Sequence, residues 1–148
     1  MDQSRAISTL NDLIATCRDG ENGFRTAAAA LKDQHIKAMF ERYARQRAEM
    51  TRELQEQVRK LGGRPDSSGS VSASLHRGWM NLKSLLTGND DNALVAEAER
   101  GEDVAKRVYE KALAESLPAG VRELVEQQAA IVRTAHDDVR ALEKSHAR

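Results

Sequence analysis

The chain has 148 residues with 23 basic and 23 acidic side chains, so its formal net charge is zero. A neutral chain has no overall positive field, which argues against nucleic acid as a partner. Hydrophobic residues make up 40% of the sequence and aromatic residues only 3%, a balance that favours helix bundles over sheets. Composition and length together predict one all-α domain over residues 1–148.

The N-terminal residues 1–5 lead directly into an amphipathic segment, without the basic stretch and apolar block of a secretory signal. No apolar run in the sequence approaches the roughly 20 residues that are needed to cross a bilayer. The single cysteine, Cys17, excludes an intramolecular disulfide. We therefore expect a cytoplasmic protein that does not bind a membrane.

Residues 4–62 predict the first of two helical hairpins. Apolar residues recur at steps of three and four along its first helix, and Glu21 falls on the face that this spacing buries. Asp33 is a suitable N-cap for the second helix, in which the same spacing puts Arg47 on the buried face. The Gly62-Gly63 pair ends this helix.

Residues 63–90 predict a long crossover between the hairpins. A loop rich in Gly, Ser and Pro is followed by a short amphipathic helix. The apolar side of this helix is formed by Val71, Leu75, Trp79, Leu82 and Leu86. Because plain up-and-down bundles need only roughly two to eight residues per connection, this segment indicates the crossover topology of ferritin-like folds.

The second hairpin is predicted over residues 91–145. Its first helix carries Glu102 on the buried face, and the Ser116-Leu117-Pro118 turn precedes its second helix. The elements in this order predict an all-α, ferritin-like antiparallel four-helix bundle, whose long crossover contains a short extra helix.

The two hairpins share a short motif. Gly20-Glu21-Asn22 in the first helix is echoed by Gly101-Glu102-Asp103 in the third. A basic residue, Arg25 or Lys106, follows each glutamate by four positions. The shared position on the buried face predicts a duplicated hairpin. Counting from the turns puts both glutamates near the middle of the bundle.

Two buried glutamates allow two interpretations, because a buried carboxylate is costly unless it is paired, neutralised or bound to a metal. In the metal hypothesis, Glu21 and Glu102 bind iron or manganese. Glu53 and His136 are then the candidates for additional ligands. Carboxylate-bridged bundles also take a Glu-x-x-His pair from each of the other two helices, and this sequence has neither pair.

In the structural hypothesis, Arg47 neutralises Glu21, Glu102 or both. Hydrogen bonds in the same layer come from Tyr43, Tyr109 and Gln128. A buried network of arginine and carboxylate groups commonly fixes the register of helices. The chain is then a non-enzymatic structural or interaction module, and we expect it to form a homodimer through the Trp79 helix or through alanine-rich faces.

Five segments of the sequence carry a resemblance to a known family. They are TLNDLI at 9–14, CRDGENGF at 17–24, LGG at 61–63, LHRGW at 75–79 and ERGED at 99–103. Together they resemble a bacterial four-helix-bundle family of the ferritin-like superfamily, domain of unknown function 2383. The likeness covers nearly the whole chain.

The resemblance implies the ferritin-like fold and a bacterial, cytoplasmic protein. It brings no established reaction, so catalytic residues and the question of enzymatic activity are left open. It adds support to a metal site at Glu21 and Glu102, with a role in metal handling or the stress response.

Overall fold

The computed structural model of the chain describes residues 3–65 and 76–146, and all regular structure in these two ranges is helical. The elements are α1 (Gln3–Ala30), α2 (Gln34–Lys60), a 3-10 helix (His76–Trp79), α3 (Leu82–Leu85), α4 (Asp91–Leu113) and α5 (Ala119–His146). The predicted all-α arrangement of four long helices with a helical crossover is therefore confirmed. Within the described ranges, none of the helices has the length and apolarity to cross a membrane.

The turn between α1 and α2 is fixed by two aspartates. Asp33 caps α2 as predicted, because its carboxylate accepts hydrogen bonds from the backbone N–H groups of His35 and Ile36 at 2.9 and 3.1 Å. The carboxylate of Asp91, at the start of α4, accepts from the N–H groups of Lys32 and Asp33 at 3.0 and 2.9 Å. The turn of the first hairpin is thus hydrogen-bonded to the beginning of the second hairpin.

The core consists of two apolar clusters. One cluster contains Leu10, Leu13, Ile14, Met50, Leu54, Tyr109, Val125 and Val132. The other contains Phe24, Ile36, Phe40, Tyr43, Leu94, Val95 and Val139. Each fully buried aliphatic or phenylalanine side chain contributes about 1.5–3 kcal/mol to folding. The buried side chains of Arg47 and Glu102 belong to neither cluster. In each of the four long helices, the residues between the two clusters lie at the level of these two side chains.

The crossover departs from the prediction of one continuous helix. Val71 and Leu75 lie outside the described residues, and the remainder is a 3-10 helix that turns at Met80 and Asn81 before α3. The physical reason is close packing on α4. A Cβ built on Gly78 would lie 2.6 Å from the Cα of Gly101, so the chain approaches α4 more closely than a side-chain-bearing helix can.

Trp79 fills the space between α1 and α4. A Cβ built on Gly23 or on Gly101 would lie 2.3 Å from indole atoms of Trp79, closer than real Cβ contacts come. The indole also packs edge-on against Phe24, with the ring centroids 5.1 Å apart. The two glycines therefore form the socket that holds the crossover on the bundle.

We predict that Gly101→Ala destabilises the protein by about 1–3 kcal/mol, because the new methyl group forces the indole of Trp79 out of its socket. Urea unfolding measures the free energy, and the fluorescence of Trp79, the one tryptophan of the chain, reports whether the indole becomes wetter. Gly120→Ala is the matched control, since a Cβ there meets nothing within 4 Å. Equal stability of the two variants would contradict the prediction.

Candidate functional site

The centre of the bundle holds a buried ion pair between α2 and α4. Arg47 and Glu102 are both 0% exposed. The two Nη atoms of Arg47 donate to the two carboxylate oxygens of Glu102 at 2.8 and 2.5 Å. This bidentate geometry is the strongest form of arginine–carboxylate pairing, and it occupies both oxygens of Glu102.

Neighbouring helices shape the space around the guanidinium. A Cβ built on Gly20 would lie 2.7 Å from an Nη atom of Arg47, so α1 leaves room for the arginine at this position. The guanidinium carbon lies 5.5 Å from the ring centroid of Phe24, within range of a cation–π contact. Burial alone lowers the pKa of Arg47, but the charge and hydrogen bonds of Glu102 outweigh burial and raise the pKa above its ordinary value. The guanidinium of Arg47 therefore stays charged.

A second hydrogen-bond chain lies next to the ion pair. The hydroxyl of Tyr109 donates to the side-chain oxygen of Gln128 at 2.8 Å and lies 3.1 Å from the sulfur of Cys17. The amide of Gln128 donates to the backbone oxygen of Met50 at 3.2 Å and to Glu53 at 2.9 Å. Burial raises the pKa of Cys17 to about 11 and that of Tyr109 well above its usual value. Both groups are therefore protonated at neutral pH.

The prediction that Glu21 shares the core with Glu102 is wrong. The Glu21 side chain is 24% exposed and pairs with Arg25 at 2.6 Å on the protein surface. The buried positions of α1 at this level are Gly20 and Gly23, which admit side chains from neighbouring segments. Because successive residues of a helix point about 100° apart, Glu21 lies to one side of the buried face.

The side chains that were predicted to bond to the ion pair have other hydrogen-bond partners. Tyr43 donates to Asp138 at 2.9 Å, not to the ion pair. Tyr109 and Gln128 are buried in the core as predicted but bond to each other. The sequence left open whether Arg47 pairs with Glu21, with Glu102 or with both. In the structure it pairs with Glu102, and Glu21 pairs with Arg25.

His136 is buried and engaged with aspartates. Its Nε2 lies 2.6 Å from Asp103 and its Nδ1 lies 3.1 Å from Asp137. The four residues proposed as metal ligands therefore have separate partners: Glu21 with Arg25, Glu102 with Arg47, Glu53 with Gln128 and His136 with Asp103. In the part of the chain that the structure describes, no three His, Cys, Asp or Glu side chains group in a way that could hold a metal ion.

A second buried carboxylate, Glu97, was missed by the sequence analysis. It is 0% exposed and accepts a hydrogen bond from the backbone N–H of Asn81 at 2.7 Å and two from Arg100 at 3.1 and 2.6 Å. The sequence held a signal, because Leu94 and Gly101, three positions before and four after, share its helix face. Glu97 holds the crossover against α4.

An acidic cluster spans α4 and α5 at the surface. The pKa of Glu99 is raised to about 7, and the largest cause is its hydrogen bond with Glu143. Burial and the charges of Glu143 and Asp103 add to the shift, and Arg140 opposes it. The Glu99 carboxyl thus keeps its proton up to about neutral pH.

Comparisons with known proteins bear on the fold and family. Residues 5–115 match the family described as "Domain of unknown function (DUF2383)". The chain is also similar to a solved structure titled as a dodecameric thioferritin, the bacterioferritin-related protein from Bacteroides fragilis. The TM-score is 0.82 at 14% identity, covering 100% of this chain and 89% of that one. This likeness confirms the ferritin-like bundle. A search of curated proteins finds no match.

We predict that breaking the ion pair is costlier than replacing it. Arg47→Met or Glu102→Leu alone destabilises the protein by about 3–5 kcal/mol, because each leaves one unpaired buried charge. The double variant Arg47→Met/Glu102→Leu recovers most of that loss, as measured by urea unfolding. Arg52→Ala is the control, since its pair with Glu49 is exposed and is worth at most about 1 kcal/mol. Additive losses in the double variant would contradict the prediction.

A pH prediction follows from the Glu99 carboxyl. Between its ordinary pKa of 4.5 and about 7, the folded chain keeps a proton that the unfolded chain has released, so this group's contribution to stability falls as the pH rises. Glu143→Gln removes the second carboxylate and relieves the repulsion. We therefore expect the melting temperature of the variant relative to wild type to rise between pH 5 and pH 8. A difference that is constant with pH would refute this assignment.

Proposed function

We propose that this chain, which belongs to the family described as "Domain of unknown function (DUF2383)", is a non-enzymatic, self-associating ferritin-like module. In this proposal the polar layer of its core is structural. Its function lies in the surface that the bundle presents, not in a metal centre inside the bundle.

The observation that carries the proposal is the bidentate contact between Arg47 and Glu102. Ferritin-like carboxylate centres draw glutamates from two helices and Glu-x-x-His pairs from the other two. Here α2 supplies a guanidinium instead, and both oxygens of Glu102 are occupied by it. A metal ion at Glu102 would have to displace a buried arginine and leave its charge unpaired, which costs several kcal/mol.

In this proposal the ion pair also fixes the register of the two hairpins. Arg47 and Glu102 stand on helices of different hairpins, α2 and α4. A change of register between the hairpins would separate two fully buried charges. A pair of this kind disfavours alternative packings more than it adds stability.

Self-association has two supports. A groove between α2 and α5 carries Ile131, which is 37% exposed. The structurally similar protein from Bacteroides fragilis is titled as dodecameric, and we extend assembly, without a stated number of subunits, to this chain.

We expect protein purified without chelator to contain substoichiometric iron and manganese, unchanged in a Glu102→Gln variant. Elemental analysis measures the metal, and light scattering is expected to give a mass above that of the 16.4 kDa chain. Glu126→Gln is the control for a surface carboxylate, since its side chain is 58% exposed and belongs to neither hypothesis. The competing hypothesis, a metal site formed by Glu21, Glu102, Glu53 and His136, requires one or more ions per chain that are lost in Glu102→Gln, and that result would sink the proposal.

A further inference from the structure

The groove between α2 and α5 combines a charged end with apolar side chains. Arg42 of α2 and Asp138 of α5 line the same end, and the rest of the α5 side includes Ala130, Ile131 and Ala135. The groove has a volume of about 350 Å³. This volume is near the lower limit of small-molecule sites, which is roughly 300 Å³, so the groove suits a ligand of few atoms.

Arg42 presents a positive charge that no carboxylate of the chain neutralises. Its guanidinium carbon lies 5.6 Å from the ring centroid of Tyr43, within range of a cation–π contact. Among the residues that the structure describes, none forms an ion pair with Arg42. Because the stacking contact uses the face of the guanidinium, the N–H groups at its edge are available to donate two parallel hydrogen bonds to a ligand carboxylate.

Asp138 presents the opposite charge beside Arg42. Its Oδ2 accepts the hydroxyl of Tyr43 at 2.9 Å. Burial, and then the hydrogen bond with Asp138, raise the pKa of Tyr43 above its ordinary value. The hydroxyl therefore keeps its proton at neutral pH and orients the carboxylate. Within the described part of the chain, no side chain donates to Oδ1 of Asp138, and this oxygen is available to a ligand.

A lining with one cation and one anion selects the charge of its ligand. An organic anion would pair with Arg42 but meet the like charge of Asp138, and an organic cation would meet the reverse. A zwitterion satisfies both groups. In an α-amino acid the carboxylate and the ammonium group stand on one carbon, and the side chain leaves that carbon in a third direction. An apolar side chain can then cover Ile131, which is 37% exposed.

We propose that the groove between α2 and α5 binds a free α-amino acid with an apolar side chain, with its carboxylate on Arg42 and its ammonium group on Asp138. A residue inside a peptide lacks both charges, and a terminal residue lacks one of them, so the pairing selects the free amino acid. This inference goes beyond the proposed function and does not require self-association. A second copy of the chain is the competing occupant of the groove.

The ligand class is tested by titrating isotope-labelled protein with leucine and following the backbone amide signals by NMR. We expect saturable shifts around Arg42 and over residues 130–138. Isocaproate lacks the ammonium group of leucine and isoamylamine lacks its carboxylate. Each is expected to bind at least about tenfold more weakly, because one charge of the groove is left unpaired. Equal binding of either analogue, or an absence of leucine shifts, would overturn the proposal.

Two variants assign the two charges of the ligand. Arg42→Met is expected to weaken leucine binding at least about tenfold and to bring it to the level of isoamylamine. Asp138→Asn keeps an oxygen for the Tyr43 hydroxyl and is expected to bring leucine to the level of isocaproate. Arg52→Met is the matched control, since Arg52 is an exposed arginine of α2 that does not line the groove. Circular dichroism checks that each variant is folded. Unchanged leucine binding in Arg42→Met or Asp138→Asn would contradict the pairing.

Light scattering separates this inference from the proposed function. A monomeric wild type that binds leucine in the groove supports the inference and overturns self-association. An assembled wild type that binds leucine supports both. An assembled wild type that shows no leucine shifts, and that Ile131→Arg disperses, gives the groove to a second copy and overturns the inference alone.

Discussion

The way the two hairpins pack is constrained by one ion pair in the low-dielectric core. Arg47 and Glu102 are fully buried and are held together by two hydrogen bonds. Either charge alone would cost several kcal/mol to bury, so the two hairpins can pack only where the side chains meet. Gly20 follows from the same requirement, because a larger residue on α1 would occupy the space of the guanidinium.

The echoed Gly-Glu motifs show how similar local sequence serves different tertiary roles. In the first motif the glycine makes room for Arg47, while Glu21 pairs with Arg25 at the surface. In the second the glycine receives Trp79 of the crossover, and the glutamate is the buried counter-ion. The same helical spacing thus supports a packing socket in both hairpins but a buried charge in only one.

The Arg47–Glu102 pair and the glycine sockets fill the centre of the bundle, so the proposed function lies at its surface. An arginine that already neutralises the central carboxylate gives the ferritin-like frame an internal cation of its own. The crossover is then fastened from two sides, by the indole of Trp79 and by the carboxylate of Glu97. A bundle fixed in this way presents a groove between α2 and α5 at its surface.

The sequence by itself determined the helices, the Asp33 cap and the burial of Arg47 and Glu102, because caps and periodicity are local properties that act over a few residues. It did not determine the position of Glu21, since Gly20 and Glu21 are adjacent and only packing decided which faced inward. It also predicted one continuous crossover helix, whereas the structure has a 3-10 helix that ends at Trp79 and a turn before α3. Only the tertiary structure decided these features, because each depends on atoms from helices distant in the chain.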